Sequence, residues 1–125
     1  MDNSSCNGCH SLTDPPGYAL EVFDALGRYR DSADGAAIDT AGESGGIGKF
    51  ADANELGELL RSNEQMTQCM VRKLFQHAVG HLVQTGERAT VEAIHERFQE
   101  SGFRMDRLLV EVVASPAFQW VGEPK

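Results

Sequence analysis

Long apolar runs are missing from this chain. Nowhere do about 18 apolar residues follow one another, so no membrane-spanning helix and no membrane insertion are expected. The Met1-Asp2 start carries no basic and apolar leader, so any export signal is expected outside these residues. Aromatic residues are scarce, at 7% of the chain, which leaves little bulk to fill a core and makes room for a buried prosthetic group. Positive charge is also short. With 19 acidic against 11 basic residues the formal net charge is −8, which repels nucleic acid and anionic lipid and favours a partner with a basic docking patch. Cysteine is limited to three, two of them in one Cys-x-x-Cys unit with Cys69 apart, so the chain is not a disulfide scaffold.

The length of 125 residues suits one domain, read here as 1–125. Asp14 to Gly17, "DPPG", signals a turn, after which Tyr18, Leu20, Val22, Phe23 and Leu26 predict a short buried helix ended by Gly27. Periodicity then disappears from Arg28 to Phe50, where five glycines predict a long loop with a small hairpin around "DSADGAAID". A loop this long in a small domain is expected to wrap around something. "GESGGIGKF" is not a phosphate-binding loop, because Gly42 and Gly48 are misspaced and Phe50 stands where a metal-binding hydroxyl is required.

The second half reads as helix throughout. Asp52 and Glu55 form a capping arrangement before Leu56, Leu59 and Leu60, and Ser62 with Gln65 repeats it before Met66, Cys69, Met70, Leu74 and Ala78, with Gly80 near the end of that helix. Thr90 caps a helix carrying Val91, Ile94 and Phe98, closed by Gly102. Met105, Leu108, Leu109, Val112 and Val113 follow the next apolar stripe, and Ser115-Pro116 starts a last turn expected to bury Phe118 and Trp120. The predicted class is all-α with a long Gly-rich loop.

"CNGCH", residues 6–10, carries the chemistry, and three readings compete for it. Two thiols one helical turn apart can add to the two vinyl groups of a haem while the adjacent His10 binds the iron. A zinc site needs a further close Cys/His pair, whereas Cys69, His77, His81 and His95 are scattered. A redox dithiol should follow a buried strand, and only a short polar stretch precedes Cys6. One covalent haem c uses all three residues, fills the aromatic-poor core and occupies the long loop.

The run "CNGCHSLTDPPGYALEVFDALGRYR" followed by "IDTAG" resembles the haem-binding module of large planctomycete-type cytochrome c proteins, with its CxxCH, DPxGFALExFDxxGxxR and IDxxG wording. "CMVRKLFQHAVGHL" and "FRMDRLLVEVVASPAFQW" resemble the C-terminal domain of unknown function of the same proteins. Departures stand at Tyr18, Val22, His77 and His81, where the family has Phe, a polar residue, Tyr and Arg. The resemblance implies a c-type cytochrome module in an exported, multidomain protein, hence a periplasmic or extracellular location.

These readings combine into a class I-like cytochrome fold around one haem, held by Cys6 and Cys9 with His10 on the iron. Met66, at the start of a long helix, is the expected sixth ligand, with Met70, Met105 and the histidines behind it. A carbonyl near Pro15 or Pro16 is a candidate to orient the His10 ring, and Arg28 and Arg30 are candidates for the haem propionates. Glu21 and Asp24 are expected to cap or solvate, Cys69 to be a buried inert thiol, and His95 to be an ordinary surface residue. The expected function is single-electron transfer by a monomeric, non-enzymatic module to a redox partner such as a copper-dependent polysaccharide oxygenase. The alternative is a haem sensor or peroxidase-like site with an open or labile sixth position.

Overall fold

Two adjacent prolines fail to end the first helix. In the computed structural model, which describes residues 4–119, α1 spans Ser4–Ala19 with Pro15 and Pro16 inside it. A proline at position i deprives the carbonyl at i−4 of its donor, here those of Ser11 and Leu12. Ser11 is exposed to water, and the Leu12 carbonyl accepts a long bond of 3.4 Å from the hydroxyl of Ser44. The vacancy left by Pro16 is therefore filled from a strand far along the chain.

The expected short helix after "DPPG" is replaced by successive turns. Leu20 N–H donates to Gly17 C=O at 3.0 Å, Glu21 to Tyr18 at 3.1 Å and Phe23 to Leu20 at 3.0 Å. Ala19 is the one fully buried side chain of this stretch, and Tyr18, Leu20, Phe23 and Leu26 lie exposed. Gly27 takes the left-handed conformation (φ 74°), in the turn itself and not at a helix end.

The glycine-rich segment folds into two small antiparallel hairpins. β1 (Ser32–Ala33) and β2 (Ala36–Ala37) flank Asp34-Gly35, both at positive φ (51° and 80°), as a two-residue hairpin turn requires. This is the hairpin expected around "DSADGAAID". The second, β3 (Gly42–Ser44) with β4 (Gly48–Phe50), pairs Gly42 with Phe50 and packs against α1. A Cβ at Gly42 would lie 2.8 Å from the Phe50 ring and 3.2 Å from the Pro15 carbonyl oxygen, so only glycine admits this approach. α2 (Ala53–Ser62) starts as expected, the Asp52 carboxylate accepting from the N–H groups of Asn54 and Glu55. Its Leu56 is buried with Ala19 and Phe50, with Ile47, Leu59 and Leu60 partly buried around them.

The chain divides into two compact units between Asn63 and Glu64. In the second, α3 (Glu64–Val79), α4 (Arg88–Glu100), α5 (Met105–Ala114) and α6 (Pro116–Gln119) enclose a core of Val71, Phe75, Ile94, Phe98, Leu108 and Val112. Gly80 and Gly102 terminate α3 and α4 at φ 77° and 73°, as expected. The start of α4 differs: a 3₁₀ turn at Thr85–Glu87 precedes it, with Glu87 accepting from the Gln84 N–H, so Thr90 lies inside the helix. The inward face of α3 is also displaced by one position. Thr67, Val71 and Phe75 are buried, whereas Met70 is exposed, because Thr67 has its hydroxyl satisfied and can enter the core as an apolar residue would. On α5 only Leu108 and Val112 are buried; Met105, Leu109 and Val113 are about half exposed, since α4 covers a narrower stripe than the sequence offers. Phe118 is exposed and Ala117 packs on the core in its place, while Trp120 lies outside the described residues.

The architecture is mostly helical with two small antiparallel sheets, so the all-α expectation holds coarsely. Among the described residues no helix is long and apolar enough to cross a membrane. Gly42→Ala is expected to destabilise the N-terminal unit by about 1–3 kcal/mol, because the new methyl displaces the Phe50 ring or parts β3 from α1. The check is the shift in midpoint of urea unfolding followed by circular dichroism.

Candidate functional site

Helical spacing places Cys6 and Cys9 three residues apart on α1, one turn along the same side, and His10 next to Cys9. All three side chains are exposed and both thiols are free. The imidazole is already held on one side: His10 Nδ1 lies 3.0 and 3.1 Å from the two carboxylate oxygens of Asp14, one turn onward. A carboxylate accepts, so Nδ1 is the donor and Nε2 of the neutral ring keeps its lone pair. The Pro15 carbonyl oxygen is turned toward Gly42, so a carboxylate takes the orienting position for which a proline carbonyl was the candidate. Asp14 had a legible signal, His-x-x-x-Asp, but it reads only once the helix is known to run through the prolines.

The loop after α1 is organised by Asp24. Its Oδ1 accepts from the N–H groups of Leu26 (2.8 Å) and Arg28 (2.9 Å), and its Oδ2 from Arg28 Nε (2.8 Å). The backbone bonds from Arg28 and Leu26 hold the Asp24 carboxyl below its ordinary range, with the Arg28 side chain and the charge of Arg30 adding to them. Arg30 Nε donates to the Glu21 carbonyl at 2.9 Å. Arg28 and Arg30 thus each spend one nitrogen on the loop, and neither has an ion pair or hydrogen bond at its Nη atoms among the described residues. In the same unit Leu12, Tyr18, Leu20, Phe23, Leu26 and Tyr29 are exposed, with the Phe23 and Tyr29 rings edge to face at 6.3 Å.

The remaining candidates lie on the second unit. Met66 is half-buried in the first turn of α3, Met70 and Met105 are exposed, and Cys69 is half-buried with Arg72 Nη2 3.8 Å from its sulfur. His77 is exposed, and His81 has Nδ1 3.0 Å from the Leu82 carbonyl. His95 corrects its expectation: it is buried, 6% exposed, with Nε2 3.0 Å from Thr67 Oγ1. The Thr67 hydroxyl proton goes to the Glu64 carbonyl (3.1 Å), so Nε2–H is the donor to Thr67. His95 also lines a groove of about 750 Å³ between α3 and α4. Among the described residues no three His, Cys, Asp or Glu side chains gather as a metal-holding group.

Helical second unit and CxxCH-bearing first unit together define a chain built of domains found in planctomycete-type cytochrome c proteins. It belongs to the family described as "Protein of unknown function (DUF1585)", which matches residues 48–118, from β4 to α6. Residues 1–33, containing "CNGCH", match "Protein of unknown function (DUF1588)", so the opening run meets this family and not the haem-binding module it resembles in wording. No curated protein and no solved structure matches the chain.

Lowering the pH tests the Asp24 loop. Because its carboxyl sits below the ordinary 3.8, it stabilises the loop above that pH, and the contribution is lost as pH falls through the lowered value. The amide protons of Leu26 and Arg28 are expected to shift together below pH 3.8 by NMR, and Asp24→Asn to abolish that shared titration.

Proposed function

We propose that the chain is a monohaem c-type cytochrome module for single-electron transfer, with a class I-like arrangement of helices around the haem. Thioether bonds from Cys6 and Cys9 would hold the macrocycle, His10 would bind iron through Nε2, and Met66 would be its sulfur ligand. Arg28 and Arg30 would face the propionates with their Nη atoms. When bound, the haem supplies a one-electron couple; the chain supplies attachment, axial ligands and a docking surface, and is not itself an enzyme.

One observation carries this reading: two free thiols one turn apart on α1, beside a histidine whose Nδ1 is engaged and whose Nε2 is left for a metal. The residues fit the group in a second respect. Among the described residues the first unit buries Ala19, Phe50 and Leu56 as its core, and it leaves Leu12, one helical turn from Cys9, exposed where a flat apolar macrocycle would cover it. The acidic surface suits a redox partner with a basic docking patch, and a secreted setting makes a copper-dependent polysaccharide oxygenase the partner of choice.

Expression with a c-type maturation system is expected to yield haem that stays with the chain on a denaturing gel and shows a thioether-type pyridine haemochrome. Cys6→Ala with Cys9→Ala should abolish both; a wild-type chain without covalent haem sinks the proposal. In the oxidised protein the weak long-wavelength sulfur-to-iron band is expected, and Met66→Ala should remove it. A band that survives moves the ligand elsewhere. An absent band with fast carbon monoxide binding identifies the open-site alternative of a sensor or peroxidase-like domain. Electron delivery is read by mixing the reduced module with the copper oxygenase, where haem oxidation should exceed self-oxidation.

A further inference from the structure

We propose that Asp14 is a positioning residue that lowers the reduction potential of the iron through His10, an inference that rests on the haem reading above. Both Asp14 oxygens lie within 3.1 Å of His10 Nδ1, and among the described residues Asp14 has no other ion-pair partner, so its charge acts on the imidazole undivided. A carboxylate on the far nitrogen fixes the tautomer, sets the ring orientation and makes Nε2 a stronger donor to a metal. Ferric iron carries one more positive charge than ferrous iron, so the stronger donor and the nearby negative charge favour the ferric state. One electron arrives from a donor and leaves to an acceptor, and no bond is made or broken.

The local sequence is costly for a helix, which gives the arrangement a second argument. A residue that precedes proline disfavours helical backbone, and Pro15 and Pro16 each delete a helical hydrogen bond. The helix nevertheless continues through Asp14, because the Ser44 hydroxyl donates to the Leu12 carbonyl and Gly42 of β3 closes on the Pro15 carbonyl oxygen. Holding Asp14 in helical register is what brings its carboxylate one turn from His10. A helix ended at the "DPPG" turn would release it.

The test is spectroelectrochemistry on the haem-loaded full chain, comparing wild type with Asp14→Asn and Asp14→Glu. The asparagine keeps the shape and an acceptor but removes the charge. It is expected to shift the ferric-over-ferrous preference by about tenfold or more, a rise of at least ~59 mV for one electron. Glutamate, which keeps the charge, should restore most of the difference. If Asp14→Asn does not load haem, Asp14→Ser replaces it with the same expectation. In the haem-free chain, ¹⁵N shifts of His10 should place the neutral ring's proton on Nδ1 in wild type. A loaded Asp14→Asn protein with an unchanged potential overturns the inference and leaves the haem reading standing, as does a proton found on Nε2. Failure of wild type to attach haem removes both, and is told apart by the missing haemochrome.

Discussion

A backbone carbonyl deprived of its helical donor is the constraint on which the N-terminal unit depends. Pro16 has no N–H to offer Leu12, and a carbonyl left without a partner inside a packed interface would cost about 1–3 kcal/mol. The Ser44 hydroxyl, itself buried, fills the position. That bond, together with the close approach of Gly42 to Pro15, docks β3 on α1 and carries the helix past two residues that ordinarily end one. Cys6, Cys9, His10 and Asp14 all stand on that helix, so their spacing is a property of a docked element and not of a free peptide.

The two units differ in the size of their cores. The second closes an apolar core around Phe75 and Phe98 and admits Thr67 and His95 as a hydrogen-bonded polar pair, while Met70, Met105, Leu109, Val113 and Phe118 stay exposed. Among the described residues the first buries three apolar side chains, Ala19, Phe50 and Leu56. Under the proposed reading a prosthetic group would add apolar surface to this smaller core. The groove beside His95 has a different character: Arg72, Lys73 and Arg88 share it with Glu64, Glu92 and Glu96, a mixture of signs that selects no single class of ligand.

Much of the chain from Asp52 onward was legible because its signals are local. Glycines at 80 and 102 and the Asp52 cap act through their own backbone neighbourhood, and they stand where expected. The errors came where burial depends on a distant partner. Met70 and Leu109 carry as much hydrophobicity as the residues that are buried, and only the position of facing helices excludes them. His95 was read as outward because it is polar; it goes inside paired with Thr67, and pairing across 28 residues leaves no periodic trace. The β3–β4 hairpin was missed for a similar reason, its strands being three residues each and rich in glycine.

The CxxCH unit, the Asp34-Gly35 turn, the helical character of residues 53–119 and the acidic surface were determined by the sequence alone, since each rests on covalent chemistry or on interactions within a few residues. Tertiary structure decided what those elements do to one another. It carried α1 through Pro15 and Pro16 and thereby gave His10 the Asp14 carboxylate in place of a proline carbonyl. The physical reason is that a proline's local preference amounts to a few kcal/mol, and a strand that satisfies the orphaned carbonyl and packs against the helix can outweigh it.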